Sequence, residues 1–90
     1  MLTLDIKKPA YNGLAELQTT RFRQVMAALL SLKQDPYPKD ARKLVEYPYW
    51  RLDIKDCRII YNVENGETLR VFLIRKRDED QESGLSGTKK

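Results

Sequence analysis

The chain has 90 residues, of which 17 are lysine or arginine and 13 are aspartate or glutamate, and its formal net charge is +4. This length fits one small domain and leaves no room for separate cofactor and substrate domains. The absence of histidine excludes histidine-based metal sites and every serine–histidine or cysteine–histidine nucleophile. We therefore expect neither a metal ion nor a cofactor.

Segments that would direct the chain to a membrane or out of the cell are not evident in the sequence. No apolar run approaches the length of a membrane span, and no basic segment followed by an apolar one opens the chain. The single cysteine, Cys57, has no internal partner for a disulfide, which fits a reducing compartment. We expect a cytoplasmic protein that does not bind membranes.

The positive charge is concentrated in the first 77 residues. They hold 15 Lys/Arg against 9 Asp/Glu, a net of +6, whereas residues 78–90 carry a net of −2. The composition of residues 78–90 is polar and predicts a disordered tail behind a single domain over residues 1–77. A small basic body favours an acidic partner, with nucleic acid the commonest candidate.

The N-terminal part predicts a short strand followed by a helical hairpin. Residues 3–6 alternate weakly between polar and apolar, as in a short strand. Pro9 suits the first turn of a helix over residues 10–18. Thr19 and Thr20 are plausible N-caps for a second helix, which carries a wide apolar stripe.

The following segment predicts a loop. Pro36 ends the second helix, and residues 39–44 have room for one further helical turn. Three basic residues lie in that turn: Lys39, Arg42 and Lys43. They form either a solvated helix face or a set of contacts to RNA phosphates, whose binding would depend strongly on salt.

In the C-terminal part, apolar residues recur with period two, which predicts three antiparallel strands. The strands cover residues 50–54, 58–64 and 68–75, and Asn65-Gly66 predicts a tight hairpin between the last two. The whole order predicts an α+β domain with a short N-terminal strand, a helical hairpin and a three-stranded antiparallel sheet.

Arginines accompany these strands. Arg51 and Arg58 flank one tight turn, and a basic cluster at residues 75–77 ends the last strand. They are either ordinary solvated strand residues or, if the strands are neighbours, a dense positive field at one end of the sheet. Such a field favours a phosphate ligand, because guanidinium groups bind phosphate oxygens in pairs.

The segment from Trp50 to Tyr61 resembles the signature of the RelE/ParE toxin superfamily, and the resemblance extends over nearly the whole chain. The matching residues are Arg51-Leu52, Asp56, Arg58, Ile59-Ile60-Tyr61 and, after the last strand, Lys76-Arg77. The resemblance implies the toxin of a type II toxin–antitoxin pair. For the RelE branch it implies a ribosome-dependent endoribonuclease that cuts messenger RNA in the ribosomal A site.

The resemblance also implies roles for particular residues. Arg51, Arg58 and Arg77 match the basic functional positions of the family. Arg58 and Arg77 are expected to stabilise charge on the scissile phosphate, and Arg77 or a neighbour to protonate the leaving 5′ oxygen. The attacking group would be the 2′-hydroxyl of the RNA. Arg75 and Lys76 are expected to contact RNA beside them.

Three positions depart from the signature: Asp53 stands where a basic residue is frequent, Lys55 replaces a glycine and Cys57 replaces an aromatic residue. Asp53 either accepts a proton as a general base or pairs with Arg51 or Arg58, and Lys55 is another candidate base. In addition, no tyrosine follows Tyr61, whereas the RelE branch often has one.

These departures leave other functions open. The ParE branch of the superfamily poisons DNA gyrase without cutting RNA, and a degenerate member would only bind its antitoxin. The implied partners are an acidic antitoxin that covers the sheet and the helical hairpin, and either the ribosome with messenger RNA or gyrase. Among the aromatic residues, Trp50 and Tyr61 are expected in the core, whereas Tyr47 and Tyr49 are freer to stack on a base.

Overall fold

The computed structural model describes residues 1–77, in which two helices pack against a five-stranded sheet. The elements are β1 (Thr3–Ile6), α1 (Lys8–Ala15), α2 (Thr19–Gln34), β2 (Arg42–Lys43), β3 (Trp50–Ile54), β4 (Cys57–Glu64) and β5 (Thr68–Lys76). The strand order is β1-β5-β4-β3-β2. The α+β class is confirmed. The tail predicted over residues 78–90 lies outside the described residues.

The sheet has two strands more than the three predicted. Its first strand, β1, lies parallel to β5, with Thr3 opposite Thr68 and Ile6 opposite Val71. Asp5 of β1 forms an ion pair with Arg70 of β5 at 2.8 Å, and this hydrogen bond lowers the pKa of the Asp5 carboxyl. The first and the last strand of the described chain are therefore neighbours.

The helical turn predicted over residues 39–44 is wrong. Arg42–Lys43 forms the short strand β2, which pairs antiparallel with β3. Two residues are too few to show any periodicity, so the sequence carries no signal for this strand. Its backbone partners, Arg51 and Trp50, decide its conformation.

The helices begin and end close to the predicted positions. Pro9 lies in the first turn of α1, as predicted, but α1 ends at Ala15. The prediction of a threonine N-cap for α2 is wrong, because Gln18 is the N-cap and makes no side-chain capping hydrogen bond. None of the described helices is long and apolar enough to cross a membrane.

Helix α1 lies unusually close to β5 at Gly13. A Cβ atom added to Gly13 would come within 1.9 Å of the carbonyl oxygen of Ile74. Glycine is therefore required for this spacing between the helix and the sheet, since backbone atoms cannot move aside as a flexible side chain does.

The core lies between the two helices and one face of the sheet. Its buried members are Ala10, Leu14, Val25, Leu29, Leu32, Leu52, Cys57, Ile59, Tyr61, Leu69, Val71 and Ile74. Cys57 is fully buried, and burial raises the pKa of its thiol. Alternate residues of the strands point to the opposite face of the sheet, which no helix of residues 1–77 covers and which we call the open face.

Tyr61 connects the sheet to the loop after α2. Its side chain is fully buried, as predicted, and its hydroxyl donates a hydrogen bond of 2.5 Å to the carbonyl oxygen of Pro36. Burial raises the pKa of Tyr61 to about 12, with the negative potential of Tyr37 and Asp35 adding to the effect. The phenol therefore stays protonated at neutral pH and is a structural group.

A candidate phosphate-binding site on the open face of the sheet

Backbone register brings four of the predicted basic residues into two rows on the open face of the sheet. Arg58 lies opposite both Asp53 of β3 and Arg75 of β5. In the neighbouring row, Arg51 lies opposite Arg42 of β2. The strands expected to be neighbours are neighbours, so residues far apart in sequence share one end of the sheet.

Asp53 lies between two of the candidate catalytic arginines. The Nε of Arg58 donates a hydrogen bond of 3.1 Å to Oδ1 of Asp53, and the Nε of Arg77 is 3.8 Å from Oδ2. The side chains of Arg58 and Asp53 are 26% and 27% exposed. Each oxygen of the carboxylate thus faces one guanidinium, an arrangement that a phosphate group could also satisfy.

Arg77 is held by the turn between β3 and β4. Its backbone N–H donates to the carbonyl oxygen of Asp56 at 2.7 Å, and its Nη1 donates to the carbonyl oxygen of Lys55 at 3.4 Å. Lys55 itself has an exposed side chain and a left-handed backbone, with φ of 57°. Glycine adopts such a φ without strain, which explains why the superfamily signature has glycine at this position.

An ion pair that the sequence did not predict ties this turn to α2. The Nε of Arg21 lies 2.6 Å from Oδ1 of Asp56. Partial burial alone would raise the pKa of Asp56, but the hydrogen bond and charge of Arg21 outweigh it and lower that pKa. The two residues lie on different elements, 35 positions apart in sequence, and no local pattern links them.

The structure separates Arg75 from Lys76, which the sequence grouped together. Lys76 lies opposite Cys57, whose side chain is buried, so Lys76 is on the helical side of the sheet. There it lines a cavity of about 150 Å³ together with Arg21 and Asp56. Of these two residues, Arg75 is the one that lies on the open face, beside Arg58.

The basic residues before the sheet are separated in a similar way. Arg42 lies on β2 beside Arg51, and its Nη1 donates to the carbonyl oxygens of Lys39 at 2.8 Å and Ala41 at 3.1 Å. Lys43 pairs with Trp50, whose side chain packs against the core, so Lys43 is not on the open face. The exposed side chains of Lys39, Arg42 and Lys43 form no common helix face.

A β-bulge adds an aromatic residue to the open face. Ile60 pairs with Leu73 and Tyr61 pairs with Val71, which leaves Phe72 as an extra residue in β5. The ring of Phe72 contacts that of Tyr49, with centroids 4.6 Å apart. Sequence analysis missed Phe72 because strict alternation would have placed it on the same face as Ile74, in the core.

On the opposite side of the molecule, an apolar groove runs along the helical hairpin. It has a volume of about 290 Å³ and is lined by Ile6, Tyr11, Leu14, Ala15, Phe22 and Met26. Tyr11 and Phe22 remain 63% and 41% exposed. Within residues 1–77, no group of three or more carboxylate or thiol side chains is placed to hold a metal ion.

The fold is shared with solved toxin structures. RelE in the archaeal RelE–RelB complex from Pyrococcus horikoshii OT3 is 22% identical, with a TM-score of 0.74 over 84% of this chain and 94% of that one. The intact E. coli RelBE toxin–antitoxin complex gives 20% identity and a TM-score of 0.74 over 84% and 96% of the two chains. The isolated E. coli RelE toxin gives 16% identity and a TM-score of 0.74 over 94% and 100%.

Sequence comparison gives the family. No curated protein sequence matches the chain significantly. A family model described as the ParE toxin of type II toxin-antitoxin system, parDE, matches residues 5–81. The chain therefore belongs to the ParE toxin family of type II toxin–antitoxin systems, within the RelE/ParE toxin superfamily.

Proposed function

We propose that this toxin is a ribosome-dependent endoribonuclease that cleaves messenger RNA in the ribosomal A site. The observation that supports the proposal is the convergence of Arg58 and Arg77 on one point of the open face, where the carboxylate of Asp53 now lies. A phosphodiester at that point would meet two guanidinium groups. The transfer of a phosphoryl group depends mainly on such positioning and charge stabilisation.

In the proposed reaction, the 2′-hydroxyl oxygen of the RNA attacks the adjacent phosphorus atom and the bond from phosphorus to the 5′ oxygen breaks. The products are a 2′,3′-cyclic phosphate and a 5′-hydroxyl. Arg58 and Arg77 stabilise the charge on the non-bridging oxygens, and Arg77 or a neighbour supplies the proton to the leaving oxygen. Arg51, one row away, holds the neighbouring part of the RNA backbone.

The proton of the 2′-hydroxyl needs an acceptor, and two residues next to the arginine cluster are candidates. Asp53 already accepts the hydrogen bond from Arg58, which favours a role in orienting that guanidinium. Lys55 lies on the turn that holds Arg77. Under the proposal, Asp53 is a positioning residue and Lys55 is the other candidate base.

The direct test is single-turnover cleavage of messenger RNA on programmed ribosomes. Arg58→Ala and Arg77→Ala should each lower the cleavage rate by about 10²–10³-fold, the usual effect of removing one group that stabilises developing charge. Arg23→Ala is the matched control, because Arg23 is an exposed arginine on α2 away from the sheet. The absence of cleavage by the unmodified toxin would overturn the proposal.

Inhibition of DNA gyrase is the second candidate function. Two observations favour it: the family model describes ParE toxins, and Asp53 places a negative charge between the arginines that a nuclease would use. A supercoiling assay with purified gyrase and relaxed plasmid separates the two functions. Loss of supercoiling with intact messenger RNA would support gyrase inhibition over cleavage.

We also propose that a cognate antitoxin is the physiological partner. The superposable RelE chains were solved in complex with RelB-type antitoxins. In addition, the apolar groove of the helical hairpin could bind the apolar face of an amphipathic segment. The net charge of +6 over residues 1–77 favours an acidic partner. A third possibility, a member that only binds antitoxin, would show neither cleavage nor gyrase inhibition.

A further inference from the structure

We infer that Tyr47, supported by Tyr49 and Phe72, is a stacking platform for one unpaired RNA base, next to a backbone phosphate site formed by Arg42 and Arg51. The inference rests on the proposed function only in taking single-stranded RNA as the ligand. It names a second contact region on the open face, distinct from the Arg58–Asp53–Arg77 cluster.

The aromatic rings are arranged in a continuous series on the open face. Phe72 and Tyr49 have centroids 4.6 Å apart, and the rings of Tyr49 and Tyr47 are nearly parallel, at 8°, with centroids 6.5 Å apart. None of the three residues belongs to the hydrophobic core or packs against it. Tyr47, at the outer end, is 59% exposed and presents a large ring to solvent.

The loop that carries these tyrosines is closed by its backbone. The N–H of Leu44 donates a hydrogen bond of 2.9 Å to the carbonyl oxygen of Tyr49. Strands β2 and β3 flank this loop and pair with each other. An exposed aromatic ring on a closed loop loses little conformational freedom when a ligand stacks on it, which is the property that a stacking platform requires.

The platform borders two like charges. Tyr49 precedes Arg51 by two residues, a spacing of about 7 Å along an extended chain. Arg51 lies directly opposite Arg42, and within residues 1–77 neither forms an ion pair with a carboxylate. Directly opposed like charges destabilise a pair of strands, and a bound anion relieves this cost.

The combination of a stacking ring and an uncompensated arginine pair favours a nucleotide over an apolar peptide. Single-stranded RNA offers a planar base and a negative phosphate together, and aromatic side chains with basic neighbours are its usual contacts. An apolar peptide segment would bind better in the groove on the helical side, because that groove is lined almost entirely by apolar residues. The open face therefore suits RNA.

The test compares two labelled strands by fluorescence anisotropy with the full-length protein: a heptamer of uridine and a heptamer of abasic ribose phosphate with the same charge. The uridine strand should bind about 5- to 150-fold more tightly, the range that corresponds to stacking of one base. Tyr47→Ala should remove most of this difference and leave the affinity for the abasic strand unchanged. Tyr47→Trp should retain the difference.

Two further variants complete the design. Arg42→Gln should weaken the binding of both strands alike and lower the slope of log affinity against log salt by about one. Leu30→Ala is the control, because Leu30 is a large apolar side chain that is 52% exposed, as Tyr47 is at 59%, but lies on α2 and does not line the apolar groove. It should bind both strands as the unmodified protein does.

The inference is overturned if the unmodified protein binds neither strand or does not prefer uridine. It is equally overturned if Tyr47→Ala leaves the preference intact, or if that change weakens only the binding of an antitoxin. Ribosomal cleavage is scored separately. If the protein prefers uridine through Tyr47 but does not cleave messenger RNA, the nuclease proposal is wrong and the stacking platform stands. If it cleaves messenger RNA but does not prefer uridine, the platform is wrong and the nuclease proposal stands.

Discussion

Asp53 offers one carboxylate oxygen to Arg58 and the other toward Arg77, so a single side chain sets the relative position of two arginines from different strand ends. Under the proposed nuclease function, the same carboxylate lies where a substrate phosphate would be held. Binding of RNA would then exchange one anion for another, and the affinity for substrate would be lowered by the strength of the existing ion pairs.

Substitution of Asp53 distinguishes a role in orienting the arginines from a role as the general base. Asp53→Asn keeps a hydrogen-bond acceptor, so we expect cleavage to stay within about tenfold of the unmodified toxin, whereas loss of a general base costs about 10²–10⁴-fold. Asp53→Lys removes the acceptor for both guanidinium groups and places a third cation beside them, so under the orienting role it should lower the rate more than Asp53→Asn does. The measurement is single-turnover cleavage on programmed ribosomes at saturating toxin. A collapse in both variants would identify Asp53 as the base.

Tyr61 predicts how stability depends on alkaline pH. Its pKa is raised to about 12 in the folded protein, whereas an unfolded tyrosine titrates near pH 10. The contribution of this pKa shift to the free energy of unfolding is fully present below pH 10. It is lost as the pH rises toward 12, and the free energy of unfolding then falls by about 1.4 kcal/mol per pH unit. Urea unfolding across this range should show a steeper decline for the unmodified protein than for Tyr61→Phe. Identical slopes would refute the assignment.

At the scale of elements, the contact between α1 and β5 tolerates no side chain at Gly13. We expect Gly13→Ala to lower the free energy of unfolding by about 1–3 kcal/mol, since overpacking against a backbone carbonyl outweighs the better helix propensity of alanine. Urea denaturation at constant m-value measures the change.

The control for that experiment is Gly66→Ala, at the turn between β4 and β5. Gly66 has a φ of 68°, and an added Cβ there would meet no atom within 4 Å. Only backbone strain remains, which costs about 1 kcal/mol. If Gly13→Ala were no more damaging than Gly66→Ala, the close approach of α1 to β5 would be contradicted.

The elements with strong local patterns were predictable from sequence, and those that depend on distant partners were not. The period of two in β3 to β5 and the Asn65-Gly66 turn, with φ values of 56° and 68°, follow from local preferences. The pairing of β2 and the parallel addition of β1 beside β5 are decided across the sheet. The residues of β1 and β2 themselves give no indication of the strand with which each pairs.

The candidate site shows the same division at the level of side chains. The sequence showed that Arg51 and Arg58 flank one tight turn, and the basic end of β5 was visible as a cluster. The bulge that brings Phe72 to that face and the ion pair of Arg21 with Asp56 were not predictable, because each depends on the register or packing of a remote element.

The whole molecule has two faces of different chemistry. The open face of the sheet carries the arginine rows, and the helical side carries the apolar groove. An antitoxin segment confined to the groove would leave the arginines accessible. An antitoxin that inhibits the toxin by covering these arginines must therefore extend from the groove to the open face. An acidic and partly extended chain can do this.

The groove gives a prediction for antitoxin binding. Tyr11→Ala and Phe22→Ala should each weaken the complex by about tenfold or more, since burial of a large apolar side chain stabilises by about 1.5–3 kcal/mol. Titration calorimetry with the cognate antitoxin measures the change, and Tyr47→Ala on the open face is the comparison. Unchanged affinity in both groove variants would place the antitoxin elsewhere.

The pairing of β1 with β5 has a consequence for synthesis of the toxin. Thr3–Ile6 is translated before Thr68–Lys76, which is its only strand partner among residues 1–77, so β1 cannot join the sheet until β5 has been made. Arg77, which the cluster also needs, follows β5 directly. The arginine cluster is therefore incomplete in any nascent chain that has not yet reached residue 77. Under the proposed nuclease function, a toxin molecule still being synthesised could not cleave RNA before that point.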